Sequence, residues 1–276
     1  MPTLDDINYL KISPEPPLGD YVQAIWLAQH DKNKEVLAFS LLSDCGSCIL
    51  FNYGDEIRLS RNNQSHRVSK QAVVVGPSKA LFEIGFNNQI CTLGINFHPG
   101  TGSAFLENGI EQLIDRIEIS NEAHFVTAHH MYIKFENEIQ TGNGESLLRK
   151  VEESLINNLS HYHLQVQDKL ESLITLFKRE QDMPLVLLAD MSGISAREIQ
   201  RKFKQYVGIS PKVYQRLMKL NKVKDRLSSG DYESLTQLAI DNGYYDQAHF
   251  IREFKFFMNL TPKQYKKLKK QIERAQ

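Results

Sequence analysis

Arg197, Gln200, Arg201 and Lys204 fall at positions i, i+3, i+4 and i+7, so a single helix would carry all four on one outward face. An arginine fork matches guanine O6 and N7, a glutamine amide matches adenine N6 and N7, and a lysine neutralises phosphate. A second group of the same kind follows in Gln247, Ala248, His249, Arg252 and Lys255. The two groups belong to a longer repeat. Leu188-Ala189 recurs as Leu238-Ala239, and Gly193 as Gly243, at an offset of 50. Beyond the glycine the offset is 51: Arg201 matches Arg252, Phe203-Lys204 matches Phe254-Lys255, and Ser210-Pro211 with Tyr214 matches Thr261-Pro262 with Tyr265.

Elements that could position these faces are legible around them. Pro184 suits a first helical position, and Leu185, Leu188 and Ala189 make a short apolar helix. Gly193 permits the left-handed turn of a tight corner. Ser195 is a good N-cap, with Glu198 completing a capping box, and its hydroxyl sits at the end of the helix counted with the DNA-contacting set. Ile199 and Phe203 then face the core with Tyr206. In the second copy Asp246 takes the place of Ser195, and Phe250 and Phe254 form the core pair. Ser210-Pro211 opens a long helix through Tyr214, Leu217, Leu220, Val223 and Leu227, which would hold the two units at a fixed separation. A rigid helix of this kind can set two reading helices in successive major grooves, about 34 Å apart.

Residues from about 170 to 270 resemble the DNA-binding region of AraC-family transcription regulators. The resemblance is carried by Gly243-Tyr244-Tyr245-Asp246-Gln247-Ala248-His249-Phe250-Ile251-Arg252-Glu253-Phe254-Lys255, followed by Leu260-Thr261-Pro262-Lys263-Gln264-Tyr265. It implies two helix-turn-helix units joined by a linker helix. It also implies that Arg197, Gln200 and Arg201, then Gln247, His249 and Arg252, face the major groove. Ala248 departs from the polar residue often found there, so a base hydrogen bond is lost and at most a thymine-methyl contact is left. Lys204, Lys212, Arg216 and Lys255 are expected on phosphates. Family members usually regulate transcription, but these residues do not encode the sign of regulation.

The first hundred residues read as β-rich. Val36–Phe39, Cys48–Phe51, Ala72–Val75 and Cys91–Phe97 are short runs with β-branched or aromatic residues, divided by turn signals such as Asn52-Tyr53-Gly54-Asp55 and His98-Pro99-Gly100. The segments from Pro17 to Trp26, Phe51 to Gly54, Val74 to Pro77 and Gly94 to Gly100 resemble a sensor-type domain that precedes this DNA-binding region in some family members. A cupin-like barrel followed by helices is what that resemblance implies, with a small-molecule or dimerisation role. Helical periodicity is expected from Gly102 onward, beginning with Phe105, Ile110, Leu113 and Ile114. Leu147, Val151, Leu155 and Leu159 line a later helix. His161 to Gln167 is the expected hinge. The predicted fold class is thus α+β: a β-rich sensor or dimerisation domain with trailing helices over 1–160, and an all-α DNA-binding domain over 168–276.

Catalytic and metal-binding patterns are sparse. The strand regions lack the His-x-His pair with later Glu and His that cupin enzymes use. Cys45-Gly46-Ser47-Cys48 has no second pair at zinc-finger distance. His129-His130 and His161/His163 sit in polar sequence and read as solvated, and His98 reads as a turn residue. Trp26, Phe82 and Phe86 are expected as aromatic core before pocket lining. No phosphate-binding glycine loop or nucleophile elbow is present. No cofactor is therefore expected and the chain is read as a non-enzyme, with a metal-dependent enzyme on the N-terminal barrel as the competing reading.

Charge separates the two halves. The chain is neutral over its 276 residues, yet residues 1–167 hold 12 Lys and Arg against 20 Asp and Glu, leaving 21 against 13 for the remainder. A basic C-terminal half beside an acidic N-terminal half fits a polyanion partner on one side only. Three cysteines do not suggest a disulfide framework, and Met1–Asp6 lacks the layout of a secretion signal, so the expected location is the cytoplasm. Double-stranded DNA is the expected partner. A small-molecule effector, RNA polymerase and a second copy of the chain are left open, and no membrane partner is expected.

Overall fold

A computed structural model describes residues 7–30, 37–41, 46–61, 64–78, 82–106, 110–162, 173, 176 and 183–273; residues 37–41, 140–141, 160–162, 206 and 268–273 are described by backbone alone. Among the described residues of the N-terminal half there are ten strands: β1 (Asn8–Ile12), β2 (Val22–His30), β3 (Leu37–Leu41), β4 (Cys48–Asn52), β5 (Ile57–Arg61), β6 (Gln64–Val68), β7 (Gln71–Val75), β8 (Phe82–Phe86), β9 (Ile90–Phe97) and β10 (Ile117–Ile119). They form two antiparallel sheets, one in the order β1-β2-β9-β4-β7-β10 and one in the order β3-β8-β5-β6.

The six-stranded sheet is buried on both faces. Trp26, Leu50, Val73 and Val75 point toward Ile57, Leu59, Val68, Ile84 and Phe86 of the smaller sheet. Their neighbours Ile25, Leu27, Ile49, Phe51 and Val74 point the other way, onto helices α1 (Val126–Thr141) and α2 (Gly144–Tyr162) through Phe135, Ile139, Leu147, Val151 and Leu155. Trp26 is a core residue, its indole nitrogen donating to Asn96 Oδ1 at 3.3 Å. Its ring lies so close over Gly94 that a side chain there would overlap it. Phe82 and Phe86 are buried in the same core. His98 serves the turn, with Nε2 placed 3.2 Å from the Gly19 carbonyl.

The helix expected from Gly102 is replaced by two short 3-10 turns, Gly102–Ala104 and Ile110–Leu113, and then by β10. Phe105, Ile110 and Leu113 are buried where these turns cover the sheet, so their spacing reflects packing and not a helical face. Asp115 has φ 59° and Phe125 φ 54°, conformations that interrupt helix on both sides of β10. The expected hinge falls outside the described residues from 163 to 167, as do Cys45 and the side chain of Tyr206.

The C-terminal half contains α3 (Leu185–Ser192), α4 (Ala196–Lys202) prolonged by a π turn over Phe203–Val207, α5 (Pro211–Ser229), α6 (Leu235–Asp241), α7 (Gln247–Met258) and α8 (Pro262–Glu273). One apolar cluster runs through all of it: Leu188, Ile199 and Phe203 from the first unit, Leu217, Leu220 and Val223 from α5, and Leu238, Phe250 and Phe254 from the second. The two halves of the chain touch at Gly208, φ +79°, where an added Cβ would lie 3.0–3.1 Å from Pro77, Ile110 and Ile114.

Candidate nucleic-acid interface

Each unit is built from local signals that act within one or two turns of chain. Gly193 ends α3 at φ 64°, and Ser195 Oγ accepts the Glu198 amide at 3.2 Å to start α4. Gly243 (φ 71°) precedes α7, whose cap Asp246 accepts the His249 amide at 2.6 Å. Ser210 caps α5, with Pro211 in its first turn. Pro184 itself acts as the cap residue of α3, one position earlier than expected. Ile199 and Phe203, like Phe250 and Phe254, are fully buried, which turns the opposite face of each helix to solvent.

On that outer face Ser195, Arg197, Gln200, Arg201 and Lys204 are exposed in α4 and its extension. In α7, Ala248, Arg252 and Lys255 are exposed, and Gln247 and His249 are half-buried. Neither half-buried side chain is idle. Gln247 Oε1 accepts from the Thr236 hydroxyl at 2.7 Å, and the His249 ring lies edge-on to Tyr244 at 5.6 Å, with Nδ1 3.5 Å from the Tyr245 amide.

Repeat symmetry makes Arg201 and Arg252 equivalents, but their surroundings differ. Glu198 holds Arg201 in a two-pronged pair at 2.6 and 2.9 Å, and Gln205 Oε1 accepts a third bond at 3.3 Å. The hydrogen bond from Arg201 is the chief cause that draws the Glu198 carboxyl below its usual range. That pairing therefore persists above the ordinary carboxylate range and is lost as pH falls through the lowered value. The residue at the Glu198 position of the second unit is His249, so Arg252 has no acid one turn before it. If this face met DNA, a carboxylate there would repel phosphate and occupy the arginine. Glu198→Gln is accordingly expected to tighten DNA binding at low salt, measured by fluorescence anisotropy; weaker binding would count against this placement of the first face.

The linker helix α5 fastens both units. Gln215 donates to the Met183 carbonyl at 2.6 Å ahead of the first unit. Lys219 donates to the Gly243 carbonyl at 2.6 Å and lies 4.8 Å above the Tyr244 ring. Arg216 makes a two-pronged pair with Glu253 at 2.6 and 2.9 Å and sits 5.1 Å from the rings of Phe256 and Phe257. Arg216, expected on phosphate from the sequence, thus ties α5 to α7. Glu253 and Tyr245 (90% exposed) are the notable residues that sequence reasoning missed. For Tyr245 the available signal was the shift of the repeat from 50 to 51.

Among the described residues no three His, Cys, Asp or Glu side chains converge as metal ligands, and no helix is long and apolar enough to cross a membrane.

A family model for a helix-turn-helix domain matches residues 188–268, and a model for a domain of unknown function matches residues 10–118. An uncharacterised HTH-type transcriptional regulator of Haemophilus influenzae is 28% identical over 122 residues, 44% of this chain and 41% of that protein. The bifunctional transcriptional activator/DNA repair enzyme Ada of Escherichia coli is 27% identical over 99 residues, 36% of this chain and 27% of Ada. The chain thus spans less than half the length of these relatives. Among solved structures, ToxT of Vibrio cholerae aligns over 95% of this chain and 97% of its own, with 12% identity and a TM-score of 0.49. Two capped helices, one burying Ile199 and Phe203 and the other Phe250 and Phe254, lie on either side of one linker helix, and the matched span makes residues 188–268 a helix-turn-helix domain.

Proposed function

We propose that this chain is a sequence-specific DNA-binding transcription regulator of the AraC type. Its division is residues 1–160, a β-rich domain for effector sensing, dimerisation or both, and residues 168–276, the DNA-binding domain. The observation that carries the reading is a pair of N-capped helices, each with an exposed cationic face, tied to one linker helix by Gln215, Arg216 and Lys219. In the first unit Ser195, Arg197, Gln200, Arg201 and Lys204 meet DNA; in the second, Gln247, Ala248, His249, Arg252 and Lys255 do so. Arginine and the amide side chains read base edges, and the lysines fix register on phosphates. The similarity to transcriptional regulators supports the same reading, as does the basic excess of the C-terminal half. A cytoplasmic site of action, with RNA polymerase as a further partner, goes with this role.

The test is enrichment of genomic DNA fragments by the purified full chain, followed by titration of the recovered site against salt. Neutralising about six to eight phosphates gives a log-log salt slope of about −5 to −7. A recovered motif with that slope supports the reading. Recovery of random fragments, or a slope near zero, overturns it. Paired half-sites in the motif would indicate a two-fold dimer, because operator symmetry mirrors protein symmetry.

A further inference from the structure

The two units differ in length by one residue, and that residue lies at the entrance to the second reading helix. A single residue, Ile194, separates Gly193 from the cap Ser195. Two residues, Tyr244 and Tyr245, separate Gly243 from the cap Asp246. Ile194 and Tyr244 both enter the core, at 7% and 5% exposure, and the additional Tyr245 is 90% exposed.

A residue just before an N-cap commonly staples to an apolar side chain in the first helical turn. Ile194 and Ile199 share the buried cluster in the first unit. In the second, Tyr244 takes that role, with its ring 5.2 Å from Phe250, and Tyr245 is left to solvent. Solvent alone gives no reason for an aromatic ring there, at the end of the helix whose first residues meet base edges in helix-turn-helix proteins.

The adjoining helical turn differs in the same sense. Across the offset of 51, Arg197 in the first unit corresponds to Ala248 in the second, and both are exposed. The leading end of α4 therefore presents a guanidinium. The leading end of α7 presents a methyl group and follows an exposed phenol ring. The apolar feature of the major groove is the C5 methyl of thymine.

We propose that the second unit recognises a thymine by its C5 methyl through an apolar contact formed by Tyr245 and Ala248, with Tyr245 as a specificity-determining residue. This rests on the DNA-reading function proposed above. The first unit, with Arg197 at the matching place, reads a polar base edge instead.

The experiment uses the full chain and a DNA site enriched from a random-sequence pool. Each thymine is replaced singly by deoxyuridine, which lacks only the methyl group, and affinities are compared for the native chain, Tyr245→Ser and Ala248→Gly. The expected result is one position, under the second unit, where the change weakens native binding about fourfold, the worth of one buried methyl group. That sensitivity shrinks toward none in both variants, each measured at a temperature where its thermal melt shows it fully folded. Tight binding with no uracil-sensitive position overturns the proposal and leaves the DNA-reading function standing. Undiminished sensitivity in Tyr245→Ser also overturns it, as does a Tyr245→Ser effect confined to the salt slope, which would assign the phenol to phosphate. Failure to enrich any DNA removes both readings together.

Discussion

Truncation of Phe254 to alanine is expected to destabilise the whole C-terminal half and not the second unit alone. Its ring is fully buried, edge-on to Phe250 at 5.7 Å and to Tyr265 at 5.5 Å, and so joins α7 to α8. The same apolar cluster continues through α5 into Phe203 and Ile199 of the first unit. Phenylalanine-to-alanine changes in packed cores cost about 3–5 kcal/mol, a large share of the roughly 5–15 kcal/mol that keeps a domain folded. Urea denaturation followed by helical circular dichroism should show a single transition at a much lower midpoint. Contacts by both units with DNA should be lost together. A loss below about 1 kcal/mol, within the range of ordinary surface changes, would contradict the shared core. So would separate transitions for the two units.

Arg252→Ala is expected to leave that stability unchanged and to weaken binding to a selected DNA site by about 1–3 kcal/mol, or roughly 5- to 150-fold. Arg252 is exposed on α7, and truncating it opens no cavity. Specificity should relax at one base step, because the loss is confined to the base that the guanidinium reads. The paired variant Arg201→Ala should lose less. Its guanidinium must first leave Glu198, so part of the energy gained from DNA offsets a bond already made in the free protein. Competition binding against single-base variants of the site measures both effects. Equal losses would show that Glu198 does not hold Arg201 back from DNA, and no loss with Arg252→Ala would place the second reading face elsewhere. Adding Glu198→Gln should bring the Arg201→Ala loss closer to that of Arg252→Ala.

Legibility differed between the halves for physical reasons. The caps Ser195, Ser210 and Asp246 and the positive-φ residues Gly193 and Gly243 act over a few residues, and they were found where the sequence placed them. Strands β4, β7 and β9 were visible as apolar runs. Strand β2 was not, except through resemblance, because Ile25 and Leu27 serve one core and Trp26 and Ala28 the other, leaving no polar alternation to mark it. The hairpin of β5 and β6 carries Arg58, Ser60, Ser65 and Arg67 among its apolar residues, so it forms no apolar run that would mark it in the sequence. Phe105, Ile110 and Leu113 imitated a helical stripe while packing from 3-10 turns, since burial alone does not specify backbone form.

The amino-acid order alone determined the duplicated unit, its turns, its buried pairs Ile199–Phe203 and Phe250–Phe254 and the cationic residues left outside, because each depends on spacing along one helix. Only tertiary structure decided which cations remain available. Arg216 is held by Glu253, which lies 37 residues away in the chain, and Lys219 by the carbonyl of Gly243. The union of both units into one core, and the contact of Gly208 with Pro77, Ile110 and Ile114, were settled in the same way. These depend on which surfaces meet when distant segments pack, and no local pattern encodes that meeting.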